Sequence, residues 1–176
     1  IDKAEDTEEA VNFLLSQPIL GVDTETRPSF SKGRGFQVSL LQVSTHNTCY
    51  LFRLHLTGIT PAIIRFLEDK TVPKVGLSWH DDLLQLHKRA EFKPGYFIEL
   101  QDEAKKFGLQ DMSLQKLYAN LFHQKISKAQ RLSNWEASEL KDSQMAYAAT
   151  DAWCCINLYE ELLRLKQEGD YELDEL

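Results

Sequence analysis

The chain has 176 residues, of which 43% are hydrophobic and 27% charged, and this composition excludes intrinsic disorder for its body. Three cysteines (Cys49, Cys154 and Cys155) exclude a disulfide framework and show no zinc-ligand spacing. No apolar run approaches the roughly 18 residues of a membrane span. The length favours one domain over 1–176, and the first residue, Ile1, favours an excised piece of a longer chain. Reduced thiols fit the cytoplasm or the nucleus.

The net charge of −7 lies mostly at the two ends of the chain. Five acidic residues fall within 1–10 and five within 167–176, whereas the 156 residues between them carry 19 basic and 17 acidic residues. Acidic ends most often keep a domain soluble. The overall charge therefore neither indicates a nucleic-acid partner nor excludes one.

Hydrophobic periodicity predicts a helix over about 5–16, a strand at 19–23 and a polar loop at 27–35. Two strands near 37–44 and 49–54 are predicted to form a hairpin. The remaining predicted elements are a helix near 60–68, a strand at 74–78, a helix beginning near Asp81, a strand at 96–100 and helices near 101–106, 113–121 and 136–166. This order predicts an α/β fold with a mixed sheet and helices on both faces, its core spanning about 19–166.

The first candidate site is Asp23-Thr24-Glu25, at the end of an apolar strand. Because side chains alternate along a strand, Asp23 and Glu25 share one face, about 6–7 Å apart along the chain. Two neighbouring carboxylates repel each other, and a divalent cation between them removes that cost. Two ordinary acids at a solvent-facing strand end are the plainer alternative.

The second candidate is Asp81-Asp82, which follows a predicted strand and opens a helix. Capping of the helix by these acids explains them without any function. A functional role requires one of them to point towards Asp23. The preceding Trp79 and His80 are candidates for ligand contacts at the same place.

The third candidate is the pair Tyr147 and Asp151, which share one helix face because they are four residues apart. Small and apolar residues surround Asp151 in the sequence, and a carboxylate in such a setting needs a partner. A metal ion would supply one, and a hydrogen bond to a neighbouring loop is the alternative.

Together the motifs resemble the DEDDy group of 3′–5′ exonucleases. The matching stretches are GVDTET (21–26), VSLLQVS (38–44), KVGLSWHDDLLQL (74–86), SLQKLYANLF (113–122), LSNW (132–135) and YAATDA (147–152). The last two favour the ribonuclease D and Werner-type branch over polymerase proofreading domains. The resemblance implies a ribonuclease H-like fold with a mixed sheet of five to six strands.

The resemblance also implies a chemistry. Asp23, Glu25 and Asp151 are expected to bind two divalent cations, Mg²⁺ or Mn²⁺, with Asp82 acting on the second ion and Tyr147 orienting the attacking water. The register of the second motif stays open between Asp81 and Asp82, with Asp82 preferred because Leu83 and Leu86 then take the apolar helix positions. The implied reaction is hydrolysis of single-stranded DNA or RNA from the 3′ end, releasing nucleoside 5′-monophosphates.

Substrate contacts are expected from the residues near these motifs, namely Thr24, Arg27, Trp79, His80, Lys128 and Arg131. Thr26-Arg27-Pro28 departs from the large aromatic residue that ribonuclease D often has after its first motif. Basic residues cluster at Arg27, Lys32 and Arg34, at His87, Lys88 and Arg89, and at Lys125, Lys128 and Arg131. At least one of these clusters is expected to be an ordinary solvated face.

Two other functions compete with exonuclease activity. One is a binding module that keeps the fold and has lost catalysis, although no acid of the motif set is missing. The other is a nuclease that cuts internally. The sequence does not distinguish DNA from RNA and says nothing about the oligomeric state.

Overall fold

The computed structural model describes residues 1–109 and 113–169. The acidic residues from 170 onwards lie outside the described part. The strands are β1 (Leu20–Glu25), β2 (Leu40–Ser44), β3 (Cys49–Arg53), β4 (Lys74–Gly76) and β5 (Phe97–Glu99). The helices are α1 (Thr7–Leu14), which follows a 3₁₀ turn at Ala4–Asp6, α2 (Leu54–Thr57), α3 (Pro61–Glu68), α4 (Trp79–His87), α5 (Leu100–Lys105), α6 (Leu114–Phe122) and α7 (Asp142–Glu168).

The five strands of the described residues form one mixed sheet in the order β3-β2-β1-β4-β5. Strand β2 is antiparallel to both β1 and β3, whereas β4 is parallel to β1 and to β5. Strand β1 is therefore central, and its carboxyl end points to the same edge as the end of β4. Residues that follow either strand meet at this edge, where α/β sheets place their ligands.

Helices cover both faces of the sheet, as predicted. On one face, α1, α3 and α4 pack on the β1 side chains of Leu20 and Val22. On the other face, α5, α6 and α7 pack around Val75 of β4. Because side chains alternate along β1, Gly21, Asp23 and Glu25 all face α7.

Helix α7 begins at Asp142 and not near 136 as predicted. The guanidinium group of Arg53 donates hydrogen bonds to the carbonyl oxygens of Ala137 and Ser138, so this segment is held in a turn. The helix starts where the side chain of Gln144 accepts a 2.9 Å hydrogen bond from the backbone N–H of Lys141.

Strand β2 begins at Leu40, three residues later than predicted, because the residues before it bond to the end of α4. The side chain of Gln37 donates to the carbonyl oxygen of Lys88, and Arg89 donates to the carbonyl oxygen of Val38. None of the helices in the described ranges combines the length and apolar character needed to cross a bilayer.

Candidate active site

Three carboxylates converge between strand β1 and helix α7. Asp23, Glu25 and Asp151 each place a carboxylate oxygen within 4.8 Å of the other two. Strand alternation turns Asp23 and Glu25 towards α7, and Asp151 lies on the helix face formed by the fully buried Ala148 and Ala152. The first and third motifs of the sequence therefore form one cluster, which we call the carboxylate cluster.

The carboxylate cluster is costly to ionise in the absence of a cation. Burial raises the pKa of Asp23, and the charge of Asp151 raises it further. Burial also raises the pKa of Glu25 to about 9, with the charges of Asp23 and Asp151 adding to the effect. Burial alone raises the pKa of Asp151 to about 7.

Asp151 also has an unsatisfied atom. Its side chain is only 4% exposed, and its Oδ1 oxygen has no hydrogen-bond donor among the described residues. A buried acceptor left without a partner costs free energy, and a bound cation would satisfy it. Oxygen ligands of this kind suit Mg²⁺ and Mn²⁺, so the residues present fit a divalent cation.

Asp82 approaches the carboxylate cluster from the opposite face of the sheet. The Thr24 hydroxyl donates a hydrogen bond to the Oδ1 oxygen of Asp82. This contact is possible because the Thr24 side chain faces α4, whereas the side chains of Asp23 and Glu25 face α7. Burial raises the pKa of Asp82, and the charge of Asp23 adds to it. Asp82 is not a member of the group of three that lie within 4.8 Å of one another. Asp81 is exposed, so the geometry favours Asp82 as the second-motif acid.

The start of α4 is held by a residue that sequence reasoning missed. The helix begins at Trp79, two residues before the predicted position, after Ser78 in a left-handed conformation with φ of 52°. The Glu99 carboxylate accepts hydrogen bonds from the backbone N–H groups of Ser78 at 2.6 Å and His80 at 3.4 Å. Glu99 thus caps α4 and leaves Asp82 free to bond Thr24.

Tyr147 lies one turn before Asp151 and is half-buried. Its ring stacks on Trp135, with ring centroids 6.1 Å apart and an interplanar angle of 28°. Burial raises the pKa of the Tyr147 phenol above its ordinary value, and the charge of Asp151 adds to this. The hydroxyl therefore stays protonated and can donate a hydrogen bond. The sequence around Trp135 carries no local signal for its packing on Tyr147.

A cavity of about 500 Å³ opens beside Tyr147. Helix α7 contributes Tyr147, Thr150 and Trp153 to its wall, and the segment between α6 and α7 contributes residues that include Lys125 and Gln130 but not Lys128. This cavity is large enough for a nucleobase or a sugar. Its lining includes Tyr147, one turn before Asp151, but none of the three carboxylates of the cluster.

The predicted substrate contacts differ in how far their side chains are exposed to solvent. The prediction for Trp79 was wrong, since its side chain is 2% exposed and packs on Phe97 with ring centroids 5.3 Å apart. The hydroxyl of Thr24 donates a hydrogen bond to Asp82, and His80, two residues before Asp82, is exposed.

The predicted basic contacts remain accessible. Arg27 is 41% exposed, lies 3.6 Å from Glu136 and stacks over the Phe36 ring at 4.5 Å. Lys128 and Arg131 are exposed on the segment that borders the cavity.

An open mixed sheet with a carboxylate cluster at the end of its central strand defines the ribonuclease H-like class. The 3′–5′ exonuclease family model matches residues 1–166, so the chain belongs to the 3′–5′ exonuclease family. It is a 3′–5′ exonuclease domain, which confirms the enzyme class and the resemblance stated above.

The relatives of the chain include a Werner-type protein and a ribonuclease D. It is 29% identical to the bifunctional 3′–5′ exonuclease/ATP-dependent helicase WRN of Mus musculus over 161 residues, which is 88% of this chain and 12% of that protein. It is 30% identical to ribonuclease D of Gluconacetobacter diazotrophicus over 174 residues, which is 96% of this chain and 43% of that protein. The chain thus spans less than half of either relative.

The fold is similar to that of the Nibbler EXO domain of Aedes aegypti, with a TM-score of 0.85. That similarity covers 98% of this chain and 89% of the other at 19% identity. It confirms the ribonuclease H-like fold predicted from the motifs.

Proposed function

We propose that this chain hydrolyses phosphodiester bonds from the 3′ end of single-stranded DNA or RNA and releases nucleoside 5′-monophosphates. One observation carries the proposal: Asp23, Glu25 and Asp151 converge within 4.8 Å in a chain of the 3′–5′ exonuclease family. No protein nucleophile is required, because water can attack the phosphorus directly.

Asp23, Glu25 and Asp151 would hold a first divalent cation, Mg²⁺ or Mn²⁺, and Asp82 would act on a second. Two such cations, when bound, lower the pKa of a water molecule and stabilise the attacking and leaving oxygens. The cations also neutralise the carboxylate cluster, so that a polyanionic substrate can approach it.

The other residues position the reactants. The protonated Tyr147 hydroxyl donates a hydrogen bond that orients the attacking water, and its stack on Trp135 fixes the ring. Arg27, Lys128 and Arg131 offer accessible positive charges to the phosphates of the strand, and His80 is exposed on the same helix as Asp82. Thr24 contributes by holding Asp82 in place.

We also place the protein in a reducing compartment, the cytoplasm or the nucleus. Cys49, Cys154 and Cys155 are all free, and the adjacent pair on α7 is buried. Burial raises the pKa of the Cys154 thiol to about 12, so this cysteine packs as a small apolar residue.

The experiment compares linear and covalently closed circular strands of DNA and RNA in Mg²⁺ or Mn²⁺. We expect nucleoside 5′-monophosphates from linear strands alone, whereas cleavage of the circles would show an endonuclease. Asp82→Asn should abolish the release, and the exposed neighbour provides the matched control Asp81→Asn, which should retain it. Equal loss in both variants would contradict the role given to Asp82.

A further inference from the structure

The loop that follows β1, which we call the β1–β2 loop (26–38), is a basic segment beside the carboxylate cluster. It contains Arg27, Lys32 and Arg34 and no acidic residue. The backbone N–H of Ser39 donates to the carbonyl oxygen of Glu25 at 2.9 Å, which closes the base of the loop. The two ends of the loop are therefore held together at Glu25, which provides one of the cluster carboxylates.

Both flanks of the β1–β2 loop are anchored to the body of the protein. Arg27 lies 3.6 Å from Glu136, and Glu136 follows the tryptophan that stacks on Tyr147. On the other flank, Gln37 donates to the carbonyl oxygen of Lys88 at 3.2 Å. The loop tip between these anchors follows the carboxyl end of β1, the end of the strand at which the carboxylate cluster lies.

The tip of the loop presents an aromatic ring between positive charges. Phe30 is 86% exposed, the largest exposure among the large hydrophobic side chains of the described residues. Lys32 and Arg34 are exposed, and neither forms an ion pair within the part of the chain that the structure describes. A ring that could stack on a base and cations that could contact phosphates are the two components of a single-strand binding surface.

We propose that Phe30 stacks on a nucleobase of the substrate strand outside the terminal site, while Lys32 and Arg34 contact the flanking phosphates. This inference rests on the proposed function, because it names a second contact for the same substrate. Phe30 is five residues from Glu25, so the two Cα atoms are at most about 18 Å apart. The stacked base is therefore expected within a few nucleotides of the scissile bond, and its identity is not selected, since every base offers a π-face.

The test compares two substrates that differ in reach. The p-nitrophenyl ester of thymidine 5′-monophosphate occupies the terminal site alone, whereas a single strand of about twelve nucleotides extends past the loop tip. For Phe30→Ala we expect the ratio of kcat/KM on the strand to kcat/KM on the ester to fall about tenfold, as for the loss of one base–aromatic stack. Phe30→Tyr should keep the wild-type ratio. In Phe30→Leu the ratio should fall as it does in Phe30→Ala, because leucine is apolar but offers no ring.

Two controls separate stacking from general effects. Leu163→Ala removes another exposed hydrophobic side chain, twelve residues beyond Asp151 on α7, and should keep the ratio. Lys32→Ala with Arg34→Ala should weaken strand binding and reduce its salt dependence. An unchanged ratio in Phe30→Ala, or an equal fall in Leu163→Ala, would overturn the inference.

Binding of a fluorescent strand, measured in parallel, separates this inference from the proposed function. If the wild type binds the strand without cleaving it and Phe30→Ala binds it more weakly, the inference stands and the proposed function fails. If cleavage occurs and Phe30→Ala binds and cleaves as the wild type does, the inference alone fails. If the wild type neither binds nor cleaves the strand, both are overturned.

Discussion

Gly21 and Ala152 lie so close that a Cβ atom at Gly21 would be 2.0 Å from the Ala152 carbonyl oxygen. The missing side chain lets α7 approach strand β1 two residues before Asp23. Asp151 precedes Ala152 on the helix, so the same approach brings the carboxylates of strand and helix together. The geometry of the carboxylate cluster thus depends on a residue that carries no chemistry itself.

Gly21→Ala should therefore disturb both stability and the cluster. The clashing atom is backbone, so α7 must move, and we expect a loss of about 1–3 kcal/mol in the free energy of unfolding. The Tm rise caused by Mn²⁺ should fall as well, because Asp151 moves with the helix. Gly35→Ala is the matched control, since nothing lies within 4 Å of the added atom. Thermal unfolding with and without Mn²⁺ measures both effects, and equal behaviour of the two variants would refute the close-approach argument.

The carboxylate cluster predicts an unusual pH dependence for the metal-free protein. Unfolded acidic residues release their protons near pH 4, whereas burial raises the pKa of Glu25 to about 9 and that of Asp151 to about 7 in the folded state. Between about pH 4 and pH 9 the unfolded state therefore binds fewer protons than the folded state. The free energy of unfolding should consequently fall as the pH rises from about 5 to about 9. Glu25→Gln should flatten this dependence in denaturant titrations across that range.

Saturating Mn²⁺ should reverse the trend, because cations bind the deprotonated carboxylates. The Tm rise produced by the metal should be larger at about pH 8 than at about pH 6. Asp23→Asn should show no metal-induced rise at either pH. A metal-induced rise that persists in this variant would place the cation elsewhere.

Tyr147→Phe removes the hydroxyl and keeps the ring that stacks on Trp135. We expect kcat to fall by about tenfold, the order expected for losing one hydrogen bond to the attacking water. The Tm rise with Mn²⁺ should stay, because the phenol is not a metal ligand in this account. Asp151→Asn should lose both the activity and the rise, so equal loss of metal binding in the two variants would contradict the separate roles.

Glu99→Ala should loosen the start of α4 and thereby misplace Asp82. Loss of the cap on Ser78 and His80 should cost about 1–2 kcal/mol of stability. Activity should fall together with stability, because Asp82 is then no longer held in position to accept the hydrogen bond from Thr24. Glu99→Gln keeps one acceptor oxygen and should recover part of both losses. Glu91→Ala, at an exposed acid, is the matched control and should leave unfolding and strand cleavage near wild-type values.

Local patterns account for what could be predicted from the sequence. Alternation along β1 puts Asp23 and Glu25 on one face, and the four-residue spacing in α7 aligns Tyr147 with Asp151. Both relationships depend only on the periods of a strand and a helix. The motif order then identified the family that the comparisons confirm.

The features that could not be predicted depend on partners distant in the chain. The turn before α7 is fixed by Arg53, which precedes it by more than eighty residues, and α4 is capped from a neighbouring strand by Glu99. Trp79 lies beside charged residues in the sequence, yet its side chain points into the core against Phe97. No local period or cap signal reports such contacts.

The most direct test of the central claim follows a 5′-labelled single strand over time, as DNA and as RNA, in Mg²⁺, Mn²⁺ or EDTA. The account predicts a ladder that shortens from the 3′ end with either metal, stops in EDTA and is absent in Asp23→Asn. A ladder that persists in EDTA or in Asp23→Asn would contradict a metal-dependent site at the carboxylate cluster. Failure of the wild type to shorten either strand, with Mn²⁺ binding confirmed by thermal shift, would contradict the exonuclease function and favour a binding module.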